Sequence, residues 1–188
     1  MKTKAFLPRR LLACLLIFAF TAGLHARSEE KRGGTVEGIL VAKDKNSITV
    51  LPEGADEAMR FHPHWRGGLP KDGGGLDKVM LETIRSLIVN NRVAVKWEYE
   101  ERPRVIQVRT LLPKKKKGVV RGKIVAKSEH FIDVKPADSK APTERYLPHW
   151  RKGGLDKETL SLIREAKVGQ QVTVEWEYDE RKRLLGLR

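Results

Sequence analysis

The chain carries the same long passage twice, and that fixes most of what it can fold into. "GTVEGILVAKDKNSITV" from Gly34 matches "GVVRGKIVAKSEHFIDV" from Gly118. "RFHPHWR" matches "RYLPHWR", and "LDKVMLETIRSLIVNNRVAVKWEYEERPR" matches "LDKETLSLIREAKVGQQVTVEWEYDERKR". The blocks follow one order with small gaps. A duplication of one domain is the only economical reading. The copies span residues 34–110 and 118–188, with a basic linker at 111–117 whose Pro113 and lysine run read as exposed chain.

Within a copy, "VEGILVAK" and "SITVLP" are β-rich and joined by a turn cluster. "AMRFHPHW" reads as a third strand ending at Pro63, followed by a glycine-rich loop that differs in length between the copies. A helix comes next, with Asp77 or Asp156 as N-cap and Leu76/Leu81 or Leu155/Leu160 as a hydrophobic staple. Asn90 and Gly169 are expected to stop it in a left-handed conformation. Two alternating strands close the unit. Val93, Val95, Trp97 and Tyr99 share one face, as do Val172, Val174, Trp176 and Tyr178. These aromatics alternate with valines, so they read as core rather than as a stacking platform.

The order is β-β-β-α-β-β, twice. It resembles the OB-fold, and each copy looks like the small exported bacterial OB-like domains with a "G-x-V … G-x-x-V-x-V-x-W/Y" pattern. The resemblance implies a mainly β protein with one helix per repeat, built as two tandem five-stranded OB-like barrels. SH3-like barrels are the alternative, but they place their helical turn before the last strand.

Residues 1–26 read as a secretory signal peptide: basic "MKTKAFLPRR", an apolar run of roughly 14 residues, then "TAGLHA". Cleavage is expected after Ala26, with Gly23 or retention as an anchor as alternatives. The apolar run continues past Cys14, whereas a lipoprotein signal would end at it, so Cys14 leaves with the signal. An exported location, periplasmic or secreted, follows, with no membrane span once the signal is cleaved. Loss of Lys2, Lys4, Arg9 and Arg10 lowers the formal charge from +14 to about +10. A basic exported protein meets acidic envelope polymers first.

The repeated Pro-His-Trp-Arg phrase offers four candidate ligand-binding residues: His64, Arg66, His149 and Arg151. They lie beside a helix N-terminus, where N–H groups and cations suit an anion. Against this, the cap aspartates already supply a carboxylate there. The scaffold reading has Trp65 and Trp150 packing on the barrel end while the histidines and arginines bond the loop. His62 and His64 could present two imidazoles to a metal, but Leu147 replaces His62 in the second copy and no third ligand is evident. No metal or cofactor is expected. There is no nucleophile elbow, zinc-protease helix or phosphate loop. The sequence therefore reads as a non-enzymatic binding or scaffolding protein. Its partner is an anionic or glycan envelope polymer, or a protein held by avidity; nucleic acid is the lesser alternative.

Overall fold

A computed structural model describes residues 32–188. The signal segment lies outside the described residues, and so does Cys14. Barrel 1 comprises β1 (Gly33–Lys43), β2 (Ile48–Pro52), β3 (Met59–Pro63), α1 (Lys78–Ser86), β4 (Arg92–Glu100) and β5 (Arg102–Thr110). Barrel 2 comprises β6 (Lys117–Lys127), β7 (Ile132–Pro136), β8 (Glu144–Pro148), the short β9 (Trp150–Arg151) and β10 (Gly154–Leu155), α2 (Lys157–Glu165), β11 (Gln171–Tyr178) and β12 (Lys182–Leu187). No described helix is long and apolar enough to cross a membrane.

Each unit is a closed five-stranded barrel, in the order β1-β2-β3-β5-β4 and β6-β7-β8-β12-β11. The third and fifth strands pair parallel, and the first and fourth pair antiparallel. This is the OB-like arrangement expected from the sequence, with the helix between the third and fourth strands. Closure needs strong local curvature, and both copies place a bulge at the same points. The register shifts between Leu40 and Ala42 and between Ile124 and Ala126, then again before Trp97 and before Trp176.

Alternation fills the barrels. Leu40, Ile48, Val50, Phe61, Val93, Val95, Trp97 and Val105 form one core. Ile124, Ile132, Val134, Tyr146, Val172, Val174, Trp176 and Leu184 form the other. Ile84 and Ile163, each from its helix, plug these cores and are fully buried. Burial of one such side chain stabilises by about 2 kcal/mol.

The helices begin as expected. Asp77 accepts from the Met80 amide at 3.0 Å and Asp156 from the Thr159 amide at 3.0 Å. Their ends differ from expectation. The caps are Leu87 and Ala166, both extended, and the left-handed Asn90 and Gly169 lie beyond them in the turn that enters the fourth strand. The terminator is instead a lysine from the first strand. Lys43 Nζ donates to the carbonyls of Arg85 and Leu87, both at 2.5 Å. Lys127 Nζ donates to Arg164 at 2.8 Å and Ala166 at 2.6 Å. A cation at a helix C-terminus satisfies free carbonyls and opposes the negative end of the dipole. This gives Lys43 and Lys127 a reason to recur.

The two barrels meet through polar groups of barrel 1 set against barrel 2. Glu53, just past β2, accepts from Arg92 Nη1 at 3.0 Å, Lys135 Nζ at 3.2 Å and the Thr143 amide at 2.8 Å. Asn90 Oδ1 accepts from Arg145 Nη1 at 3.1 Å. Arg181 Nε donates to the Val89 carbonyl at 3.1 Å, and Asn91 Nδ2 donates to the Glu180 carbonyl at 2.9 Å. The second copy carries Ala137, Gly169 and Gln171 where the first has Glu53, Asn90 and Arg92. The docking residues of barrel 1 are therefore not part of the repeated pattern.

Burial alone would raise the Glu53 carboxyl. The Thr143 amide, Lys135 and Arg92 outweigh it and hold the group below its ordinary value. Such a carboxylate stabilises above its unfolded pKa and loses that contribution as pH falls through the lower, folded value. Glu53→Ala is expected to lose about 1.5 kcal/mol at neutral pH. Urea unfolding should show that the gap between variant and parent closes under acid conditions. An equal gap at both pH values contradicts the assignment.

Candidate functional site

The repeated phrase forms a small hairpin rather than a continued third strand. Past Pro63 the chain turns, and Trp65 pairs with Leu76 across the glycine-rich loop. In barrel 2 the pair is Trp150 with Leu155, on β9 and β10. The alternation that would have carried both tryptophans onto the barrel end stops at the proline. Trp65 is 51% exposed and Trp150 56% exposed, so the expectation that they pack there is corrected. Tyr99 is likewise exposed, and Tyr178 only half-buried, although Trp97 and Trp176 are core.

The four sequence candidates are tied to carboxylates. Arg66 Nε donates to Asp77 Oδ2 at 3.0 Å, and its Nη2 reaches the same oxygen. Arg151 Nε lies 3.0 Å from Asp156 Oδ1. Each aspartate thus gives one oxygen to its helix amide and the other to its arginine. The Met80 amide holds the Asp77 carboxyl below its ordinary range against the opposing effect of burial, aided by Arg66. The Thr159 amide does the same for Asp156, aided by Arg151. His64 Nε2 lies 3.1 Å from Glu98 Oε1, and its Nδ1 3.4 Å from Glu100 Oε2. His149 Nδ1 lies 3.3 Å from Glu177 Oε1. These groups fasten the loop to the helix and to the fourth strand. The helix N-terminus has no vacant place for an anion beside Asp77 or Asp156.

A different surface of barrel 1 is open. A groove of about 1000 Å³ runs between the β1–β2 loop and the β4–β5 turn, across the outside of β3. Asp44, Lys45 and Asn46 form one bank, and Glu100, Glu101 and Arg102 the other. Arg60, His62 and Arg104 line the space between, with Trp65 and Leu76 at the end. His62 is held below its ordinary pKa by burial and by Arg102, Arg60 and Arg104. Asp44 is held below its ordinary range by the Asn46 amide and the Ser47 hydroxyl against the opposing effect of burial, with Arg60 adding to them.

The same face of barrel 2 is partly taken up from within the chain. Arg145 stands where barrel 1 has Arg60. The Arg60 side chain is 59% exposed and that of Arg145 only 7%. Arg145 makes a two-pronged pair with Asp133, Nε to Oδ1 at 2.8 Å and Nη2 to Oδ2 at 2.8 Å, and its guanidinium sits 3.5 Å over Phe131. Its remaining nitrogen goes to Asn90 of barrel 1. The β11–β12 turn, through Glu180 and Arg181, is held by barrel 1 as well. Barrel 1 therefore engages barrel 2 at Arg145, Glu180 and Arg181, three positions that correspond to its own groove, and at Lys135 and Thr143 beside them.

Sequence reasoning singled out His62 only as a metal candidate, and did not single out Trp65 as exposed or Arg104 at all. The available signal was divergence inside the repeat: His62 against Leu147, and Glu100 against Asp179 beside a shared arginine. Among the described residues, no group of three or more His, Cys, Asp or Glu side chains is placed to hold a metal ion. Neither a protein-family model nor a curated protein sequence matches this chain.

Proposed function

We propose that this protein is an exported, non-enzymatic binding and scaffolding component of the bacterial envelope, and that barrel 1 carries its ligand face for a polyanionic or glycan polymer. The observation that carries the reading is the open groove on barrel 1. It lies on the outside of the third strand, between the two loops that OB-type barrels use for oligonucleotides and oligosaccharides. The basic balance of the chain supports an anionic partner. The order of charge and apolarity at the N-terminus supports export. Fractionating cells tests export: the protein should appear in the periplasm, in the medium or on the outer side of the inner membrane, and recovery in the cytoplasm alone contradicts it.

The groove offers no obvious pair for acid–base chemistry. Asp44 is bound to Arg60 and Ser47, and Glu100 is drawn to His64. Avidity through two equal repeats loses support, because the matching face of barrel 2 is occupied from within the chain. The test is a titration of the full chain against envelope glycans, anionic polymers and oligonucleotides at several salt concentrations. Salt-sensitive binding that disappears with Lys45→Glu and Arg102→Glu together is expected. Binding to none of these polymers rejects the reading.

A further inference from the structure

The ligand chemistry of that groove can be taken one step further, resting on the binding role assigned above. Arg104 forms part of its floor and is 7% exposed. Its Nη1 donates to the Pro63 carbonyl at 3.0 Å. Its Nε is buried and has no hydrogen-bond partner. The nearest carboxylate oxygen, Glu100 Oε2, stays 3.8 Å away and faces His64 Nδ1 at 3.4 Å. Glu101 Oε2 lies 3.6 Å from Arg104 Nη2, which leaves Nε untouched. A buried charged donor without an acceptor is expensive, and persists where something else supplies the acceptor.

The repeat provides an internal control. Arg183 holds the same position in barrel 2, and its Nη1 likewise points at a proline carbonyl, that of Pro148 at 3.4 Å. There Nε is satisfied by Asp179, at 3.0 Å and 3.3 Å from its two oxygens. Asp179 is anchored by the Arg181 amide at 2.9 Å. Barrel 1 has glutamate at this place, engaged by histidine. The arginine is thus closed in the barrel whose face is covered, and open in the barrel whose face is free.

We propose that barrel 1 binds a carboxylated sugar within a glycan chain, one per protein molecule. The sugar carboxylate displaces Glu100 from beside Arg104 and accepts from the Nε so uncovered, and the sugar ring lies against the exposed Trp65 indole. A planar guanidinium suits a carboxylate, and an aromatic face suits the C–H side of a pyranose. Asp44, Glu100 and Glu101 line the same groove. Facing them, Arg104 keeps an unused buried donor, and its planar fork selects a carboxylate. One exposed tryptophan is also fewer than the successive stacking partners that single-stranded nucleic acid uses.

The experiment is calorimetric titration of the full chain with a galacturonate oligomer, its methyl ester and an oligothymidylate. The free acid should bind at one site per chain, and the ester at least tenfold more weakly. Arg104→Lys keeps the charge but removes Nε, and should weaken the acid about tenfold while leaving the ester unchanged. Trp65→Ala, on the surface, should weaken both sugars with an unchanged melting temperature. Arg183→Lys should change no affinity. Equal affinity for acid and ester, or an equal loss with Arg183→Lys, overturns the carboxylate anchor but leaves the binding role standing. Preference for the oligothymidylate overturns the sugar assignment. Failure to bind either sugar, by a chain that binds another polymer in the salt titration, overturns this proposal alone.

Discussion

Asp133→Ala should destabilise the protein by about 4 kcal/mol, the largest effect expected of any single substitution discussed. Asp133 and Arg145 are both buried, and their side chains retain 3% and 7% exposure. Two charged hydrogen bonds at 2.8 Å compensate their removal from water. Without Asp133 the guanidinium keeps only Asn90 and the Phe131 ring, and an uncompensated charge remains inside. Adding Arg145→Met should recover most of the loss, because the penalty resides in the unpaired charge rather than in the missing pair. The first barrel supplies the contrast. Arg60 is exposed there, its partners are Asp44 and Ser47, and Thr49 stands where barrel 2 has Asp133. Asp44→Ala should therefore lose less than about 1 kcal/mol. Chemical denaturation of the two aspartate variants side by side checks the difference. Equal losses would show that barrel 2 does not rely on a buried pair.

Gly38→Ala and Gly122→Ala should each lose about 3 kcal/mol. These glycines recur at one place in the repeat, where the first strand bends over the second. A Cβ on Gly38 would lie 2.0 Å from the Leu51 carbonyl oxygen, and one on Gly122 would lie 2.3 Å from that of Lys135. Both obstacles are backbone held in the barrel ladder, so neither can give way without shifting a strand. Gly186→Ala, in the same barrel as Gly122, is the control. Its Cβ meets nothing closer than 3.6 Å, from the flexible Glu175 side chain, and stability should change by less than about 0.5 kcal/mol. Thermal melts of the three variants are sufficient. A Gly38 variant as stable as the Gly186 variant would mean that the strands are not crossed this closely.

The barrel order was legible because its signals are local and occur twice. Alternating valines mark the fourth strand, and an aspartate before an apolar helix marks each N-cap. The helix ends were not legible, because the groups that stop them, Lys43 and Lys127, come from a strand far away in sequence. Trp65 and Trp150 were misplaced because period-two alternation was carried past Pro63 and Pro148, where the chain already turns into a hairpin. Arg104 resembles one more charge in an arginine-rich turn. Only its missing partner in three dimensions distinguishes it from Arg183. The docking of the barrels lay hidden for the opposite reason to the fold. It is built from the positions where the copies disagree, and a repeat draws the eye to those where they agree.

The central claim is that one duplicated face stayed open for ligand while its twin became an internal dock. Mapping backbone amide shifts of the full chain during titration with the galacturonate oligomer tests it most directly. The shifts should cluster at Asp44–Asn46, Arg60–Trp65 and Glu100–Arg104, and leave Ser128–His130, Arg145–Trp150 and Asp179–Arg183 unmoved. Matching shifts in both sets, or shifts confined to the second, would contradict the division of roles between the barrels.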